Sequence, residues 1–177
     1  TKQGLKKTRT GERNEMADMR KAFEEVRNML SGEQSGHGFD HVERVYRLAL
    51  ELAEKEGADK EIVGLAALLH DCDDYKLAGE EAAEKLPNAR RILTMAGADD
   101  DMREKVLNIV ARMGYSKSLK GIRPSSLEGK VVSDADMLDA IGVGGIIRCL
   151  QYAVVRCNAF GTPLFDPDVW PEPGLSA

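Results

Sequence analysis

The sequence lacks the features typical of membrane proteins and disulfide-stabilised secreted proteins. Its three cysteines, Cys72, Cys149 and Cys157, are odd in number with no closely spaced pair, which excludes a paired disulfide framework and zinc-finger spacing. No apolar run approaches the roughly 18 residues that a membrane span needs, and residues 1–20 are too polar for a signal peptide. Six prolines and seventeen glycines are too few for a low-complexity chain. We therefore expect a cytoplasmic protein without a membrane partner.

The net charge of -5 is unevenly distributed. Residues 1–20 contain six basic and three acidic side chains, so the rest of the chain carries -8. This charge disfavours generic nucleic-acid binding, although a local basic pocket can still bind a small phosphate compound. We expect a disordered leader over residues 1–15, one domain over residues 16–160 and an irregular C-terminal tail over residues 161–177. A nucleic-acid-binding arm is the alternative for the leader.

Helical periodicity runs through the predicted domain, without a convincing alternating strand pattern. Apolar residues recur at three- and four-residue intervals from Met19 to Leu30, from Phe39 to Ala53 and from Met102 to Met113. Residues 62–69 are apolar nearly all round the helix, which predicts that this helix is central and buried. The pattern therefore predicts an all-α fold, a compact helical bundle.

Glycine, aspartate and proline indicate where helices begin and end. Gly57 is predicted to end one helix and Asp59 to cap the next, and the same pair of signals recurs at Gly97 and Asp99. Pro87 predicts a break in the helical sequence between these two pairs.

The C-terminal half carries three further expectations. Residues 115–124 are predicted to form a polar, basic loop. Ser125 and Glu128 stand at the spacing of a capping box that begins the next helix. Residues 140–160 are apolar with three glycines, which predicts a helix packed closely on another.

The three histidines, His37, His41 and His70, are the first candidates for chemistry. His70 ends the most apolar helix and is followed by Asp71, so both side chains are predicted to lie where water is scarce. An ionised carboxylate there needs a partner such as a divalent cation, and imidazole with carboxylate suits Mn, Fe, Zn, Ni or Mg. The alternative is a capped helix end with a hydrogen-bonded histidine.

A cluster of three carboxylates, Asp134, Asp136 and Asp139, lies within six residues of an otherwise apolar helix. Their mutual repulsion would be relieved by a cation. The alternative is that all three face solvent, and spacing alone does not decide which of them would bind a metal.

The order of these residues resembles the HD-domain metal-dependent phosphohydrolase superfamily, and most closely its small bacterial members. His41, the pair His70 and Asp71, and the stretch 134–142 follow one another as the motifs of that family do. The likeness extends from about residue 20 to residue 165. It implies the same all-helical fold that the periodicity predicts.

The resemblance also implies one divalent metal ion with four ligands: His41, His70, Asp71 and Asp136. It selects Asp136 because the ligand in this family precedes an x-Leu pair, and Asp134 is the fallback. The sequence departs from the family pattern at two positions. Met137 stands where arginine is usual, and Gly38 stands where the family has an aspartate.

The resemblance further implies hydrolysis of a small phosphate-containing substrate, such as a nucleotide. Pyrophosphate release from a nucleoside triphosphate is the leading hypothesis. A phosphodiesterase of the same superfamily and a non-catalytic helical module that keeps a metal for structure are the alternatives. The oligomeric state stays open, with a homodimer as one option.

Asp74 and Lys76 are the catalytic candidates. Asp74 lies three residues after Asp71 and would share its helix face if the helix continues, so that it could orient or deprotonate the attacking water. Lys76 would hold a substrate phosphate. A surface carboxylate and a solvated lysine are the alternatives.

Further anion-binding or substrate-binding candidates are Arg44, His37 and Arg148. Arg148 would otherwise bridge helices, and His37 would otherwise be a loop histidine without a role. Because no histidine follows His70 in the chain, we expect a single tightly bound metal ion rather than two.

Overall fold

The structure is a computed structural model that describes residues 17–161, 163 and 164, without the side chains of residues 76 and 77. The leader predicted for residues 1–15 and most of the tail predicted for residues 161–177 lie outside this part of the chain. The described residues form ten helices and no strand, which confirms the all-α prediction.

In chain order the helices are α1 (Met19–Met29), α2 (Phe39–Glu56), α3 (Lys60–Leu69), α4 (Tyr75–Ala78), α5 (Glu80–Lys85), α6 (Pro87–Met95), α7 (Asp100–Val110), α8 (Tyr115–Leu119), α9 (Leu127–Asp139) and α10 (Gly142–Phe160).

Helix α3 is the centre of the bundle and packs against α1, α2, α7 and α9. Every residue from Ile62 to Leu69 is buried, as its apolar sequence predicts. Burial of leucine side chains such as Leu65 and Leu68 stabilises the fold by about 1.5–3 kcal/mol each. Gly64 allows α2 to approach closely, since a methyl group there would lie 3.2 Å from Cε2 of Tyr46. The absence of a side chain at Gly64 therefore lets α2 and α3 lie close together.

The predicted helix boundaries are confirmed where the signal is local. Gly57 ends α2 in the left-handed conformation, and Asp59 caps α3 by accepting hydrogen bonds from two backbone amides. Gly97 has a φ of 76°, and Asp99 caps α7. Helix α6 begins at Pro87, so the helical sequence is broken there as expected.

Two expectations for the following segment are wrong in detail. The predicted loop over residues 115–124 contains the short helix α8. Ser126, not Ser125, caps α9 by accepting from the backbone amide of Gly129. The Glu128 carboxylate instead accepts from the amide of Asp59, 3.4 Å away, so this carboxylate links α9 to the start of α3 rather than completing a capping box.

Helix α10 forms over the predicted residues but is not closely packed, contrary to expectation. Only Gly145 of this helix is buried. Its exposed apolar side chains include Val143, Ile146, Ile147, Leu150, Val154, Val155 and Phe160. The glycines predicted close packing because they lack side chains, but within the described residues α10 has only α9 as a substantial helical neighbour.

No single helix in the described part of the chain is long and apolar enough to cross a membrane. Helices α9 and α10 reach that length and hydropathy only as a pair, with a 79° bend between them.

Candidate metal centre

Three helices bring four polar side chains to one place. His41 lies in the first turn of α2, His70 and Asp71 follow the last turn of α3, and Asp136 lies in α9. Helix α3 packs against both α2 and α9, and α2 also packs against α9. Residues separated by up to 95 positions in the sequence therefore meet where the three helices contact one another.

The four side chains converge through their ligand atoms. His41 Nε2 lies 3.1 Å from His70 Nε2 and 3.4 Å from both Asp71 Oδ2 and Asp136 Oδ1. His70 Nε2 lies 3.4 Å from Asp71 Oδ2 and 3.8 Å from Asp136 Oδ1. His41, His70 and Asp71 are all buried and can together hold a metal ion. Asp136 is 26% exposed and lies on the open side of the cluster.

A buried oxygen without a hydrogen bond supports this interpretation. Asp71 Oδ2 is the one buried side-chain oxygen or nitrogen in the described residues that lacks a hydrogen-bond partner. Burying an unpaired carboxylate oxygen is costly, and a cation among these atoms would compensate that cost. Two imidazole nitrogens with carboxylate oxygens are a donor set that suits a borderline divalent metal, so the residues present fit such an ion.

The charges around the two histidines favour the protonated form of each imidazole. Burial lowers the pKa of His70, but the negative charges of Asp71 and Asp136 outweigh burial and raise it to about 10. Burial likewise lowers the pKa of His41, and its interactions with Asp136 and Asp71 raise it above the usual value. The cluster therefore favours positive charge at its centre.

The pKa values of the two carboxylates are lowered, because the same contacts with the histidines favour their charged form. Burial raises the pKa of Asp71, but the facing charge of His70 holds it well below the usual range. The pKa of Asp136 is also lowered, because interactions with His41 and His70 outweigh burial and the repulsion from Asp71. Both groups are therefore ionised at neutral pH, as metal ligands must be.

The structure distinguishes Asp136 from Asp134, the alternative ligand in the same helix. Asp134 is exposed and lines a different surface of α9, near Leu52 and Lys130. Successive side chains of an α-helix are rotated by about 100° around its axis. Asp134 lies two positions before Asp136, so its side chain is directed away from the cluster. Of these two residues, Asp136 is therefore the one that lies beside the Nε2 atoms of both histidines.

Asp139, one turn after Asp136, contacts His41 from its other side. Its Oδ2 lies 2.7 Å from His41 Nδ1, and its side chain is only 10% exposed. The sequence pattern includes Asp139 among three carboxylates that could bind a metal but does not predict its contact with His41. The spacing of three residues between Asp136 and Asp139 indicates that both side chains lie on one face of the helix, because residues i and i+3 are neighbours there.

Two predicted anion-binding arginines are paired with this same carboxylate. Arg44 donates from Nε to Asp139 Oδ1 at 2.7 Å and from Nη2 to Oδ2 at 3.1 Å, and it also donates to Asp40. Arg148 donates to Asp139 Oδ2 at 3.3 Å and to the carbonyl oxygen of Gly36 at 2.6 Å. Both guanidinium groups thus lie beside the cluster with carboxylate partners already in place.

The remaining predicted site residues lie around the cluster. His37 is in the loop before α2, where its Nδ1 lies 3.1 Å from Ser35 Oγ and its ring contacts Tyr152. Asp74 lies just after the turn that follows α3. Burial lowers the pKa of Lys117, and the charge of Asp74 opposes this shift only in part. Lys76 belongs to α4, and its side chain is outside the described part of the structure.

The predicted helix face shared by Asp71 and Asp74 does not exist. Helix α3 ends at Leu69, and residues 70–73 form a turn. Asp73 explains part of this geometry, because its buried carboxylate accepts from the amides of Asn88 and Ala89 and so caps α6. This carboxylate has its hydrogen bonds within the fold.

Comparison with known proteins agrees with this arrangement. The model of the HD domain family matches residues 38–141, a span that contains all four residues of the cluster. The uncharacterized protein YpgQ of Bacillus subtilis (strain 168) is 40% identical over 129 residues, which cover 72% of this chain. This chain spans 62% of the length of YpgQ.

Solved structures of other proteins are similar to this fold. YpgQ in complex with ADP has a TM-score of 0.61 and 34% identity, covering 82% of this chain and 73% of that one. A Lactobacillus plantarum protein has a TM-score of 0.73 and 35% identity, covering 88% and 70% of the two chains. An HD-superfamily hydrolase from Bacillus thuringiensis has a TM-score of 0.58 and 31% identity, covering 86% and 71%.

Proposed function

The chain belongs to the HD domain family, and from that premise we propose that it is a metal-dependent phosphohydrolase acting on a small nucleotide-like phosphate compound. The relatives support a hydrolase, since similar structures include an HD-superfamily hydrolase. The nucleotide part rests on YpgQ, which was crystallised with ADP. Pyrophosphate release from a nucleoside triphosphate is the specific reaction that we propose, and the cytoplasm is its proposed location.

The observation that carries the proposal is the unpaired oxygen of Asp71. It lies 3.4 Å from the Nε2 atoms of both histidines in a buried cluster whose charges favour a cation. We propose that His41, His70, Asp71 and Asp136 hold one divalent ion, among Mn, Fe, Ni, Zn and Mg. Such an ion supplies Lewis-acid polarisation of a phosphate oxygen and acidifies water for attack on phosphorus.

The residues of the chain contribute positioning and charge around that ion. Helices α2, α3 and α9 pack against one another and so position the ligand side chains before an ion binds. Asp74 and Lys76 stay our proposed catalytic residues, the first to take a proton from water and the second to neutralise phosphate. Arg44, Arg148 and His37 stay the proposed residues that face the substrate.

A nucleotide screen supplemented with metal tests the function. Purified protein is incubated with nucleoside mono-, di- and triphosphates and with cyclic nucleotides in Mn²⁺, Mg²⁺, Ni²⁺ or Zn²⁺, and phosphate and pyrophosphate are resolved as separate products. We expect turnover of a triphosphate with pyrophosphate as the product. Cyclic nucleotide cleavage would instead support the phosphodiesterase alternative, and metal binding without any turnover would support the non-catalytic module.

Three variants make the screen specific. His70→Ala and Asp136→Ala should lose bound metal and hydrolysis together, because each removes one of four ligands. Asp74→Asn should keep the metal but lose rate by roughly 10²–10⁴-fold, since an amide cannot accept a proton from water. Full turnover in Asp74→Asn would remove Asp74 from the catalytic residues.

A further inference from the structure

Asp139 lies at the point where the cluster meets two arginines, and no step of the proposed reaction uses it. Its Oδ2 is 2.7 Å from His41 Nδ1, on the side of the imidazole opposite the candidate ligand atoms. Arg44 donates hydrogen bonds to both carboxylate oxygens, and Arg148 donates to one of them. These contacts join α2, α9 and α10 around a single side chain.

The hydrogen bonds determine where the proton of His41 sits. A carboxylate held by two guanidinium groups only accepts hydrogen bonds, so the imidazole must donate through Nδ1–H. When a metal displaces the second proton of His41, the neutral imidazole that keeps its proton on Nδ1 has its lone pair on Nε2. That lone pair faces His70 Nε2, Asp71 Oδ2 and Asp136 Oδ1.

His70 also donates a hydrogen bond through Nδ1, but to a backbone carbonyl oxygen instead of a carboxylate. Its Nδ1 lies 2.8 Å from the carbonyl oxygen of Ala67, which also only accepts, so Nδ1 of His70 must donate as well. The two rings thus present Nε2 towards each other and towards the carboxylates. The backbone supplies the acceptor for His70, whereas a side chain that can be substituted supplies it for His41.

We infer that Asp139 is a positioning residue that selects the Nδ1–H tautomer of His41 and so prepares its Nε2 for a divalent metal. The two arginines donate hydrogen bonds to Asp139 and fix its orientation, so that its carboxylate stays a hydrogen-bond acceptor. Arg148 also ties the loop before α2, through the carbonyl oxygen of Gly36, to the same carboxylate. The inference rests on the metal-binding part of the proposed function, not on its substrate.

Metal affinity measured without substrate tests the inference. The Mn²⁺ affinity of the full chain is determined by titration calorimetry for the wild type, Asp139→Ala and Asp139→Asn, with circular dichroism to verify folding. We expect Asp139→Ala to weaken Mn²⁺ binding by about 10- to 100-fold, the usual effect of removing a residue that orients a ligating histidine. Asp139→Asn should lose less, because its amide oxygen can still accept from Nδ1–H.

The matched control is Asp134→Ala, which removes an exposed carboxylate from the same helix. It carries the same change of charge but touches none of the cluster, so its Mn²⁺ affinity should equal that of the wild type. Wild-type affinity in a folded Asp139→Ala variant would overturn the inference. Equal losses in Asp134→Ala and Asp139→Ala would also overturn it, because the loss would then reflect net charge alone.

The tautomer itself is measured by nitrogen-15 NMR of labelled histidine in the Zn²⁺-loaded protein, with His41 assigned through His41→Gln. We expect a proton on Nδ1 of His41 in the wild type. A proton on Nε2 would overturn the inference. If the wild type binds metal and shows the expected tautomer but hydrolyses no nucleotide, the proposed function fails and the inference stands.

Discussion

At the scale of single residues, a metal cation and protons compete for the same imidazole nitrogens of the cluster. The pKa of His70 is raised to about 10 and that of His41 is also raised, because the nearby carboxylates favour the charged imidazoles. At neutral pH an incoming metal must therefore displace at least one proton before Nε2 of both rings can bind it. The raised pKa is thus an obstacle to the metal that diminishes as the pH rises.

We therefore predict that metal affinity increases with pH. Mn²⁺ affinity between pH 6.5 and 8.5 should rise by about tenfold per pH unit for each proton displaced, and calorimetry in buffers of different ionisation enthalpy should show proton release. Asp134→Ala should follow the same slope, because that residue lies outside the cluster. A flat profile would mean that the histidines are already neutral in the metal-free protein.

At the scale of secondary-structure elements, two kinds of cap begin the helices. Asp59 and Asp99 cap the helices that they directly precede, which is why the sequence reveals them. Asp73 caps α6 from a distance of 15 residues, and it accepts from the backbone amide and side chain of Asn88 and from the amide of Ala89. This buried cap also holds the turn that carries Asp71.

Loss of that cap should destabilise the fold without removing a ligand. Asp73→Ala is expected to lower the free energy of unfolding of the metal-free protein by about 2 kcal/mol, because it leaves buried amides without an acceptor. Urea unfolding measures the change, and Asp101→Ala, which removes an exposed carboxylate from α7, is the control with little expected effect. Wild-type stability with lost metal binding would instead make Asp73 a ligand.

At the scale of the whole molecule, the two most apolar helices have opposite environments. All residues from Ile62 to Leu69 of α3 are buried, whereas α10 exposes most of its apolar side chains. Hydrophobic stabilisation follows the apolar area removed from water, not the apolar content of a segment. The core contribution therefore comes from α3 and its neighbours.

A pair of substitutions measures this difference. Leu68→Ala should lower the free energy of unfolding by about 2–5 kcal/mol, because it opens a cavity in the core where this side chain is fully buried. Ile146→Lys should change it by no more than about 0.5 kcal/mol, because that side chain is 70% exposed. Urea unfolding at several protein concentrations provides both values, and a large loss for Ile146→Lys would show that another surface covers α10 in solution.

The sequence by itself determined the helical class, most helix boundaries and the order of the metal candidates. The helical class and the helix boundaries depend on residues within about four positions of one another, such as the apolar periodicity of α3 or the cap of Asp59. The choice of Asp136 over Asp134 came from the family resemblance. The structure places Asp136 beside the histidines, while its role as a ligand stays a prediction.

Only the tertiary structure decided how the surrounding charges pair. The contact between His41 and Asp139 joins residues 98 positions apart, and the hydrogen bond from Arg148 to Gly36 spans 112. No local pattern encodes such pairs, because they depend on how α2, α9 and α10 are arranged in space. For the same reason the glycines of α10 misled the prediction of close packing, since a small side chain permits a neighbour but does not supply one.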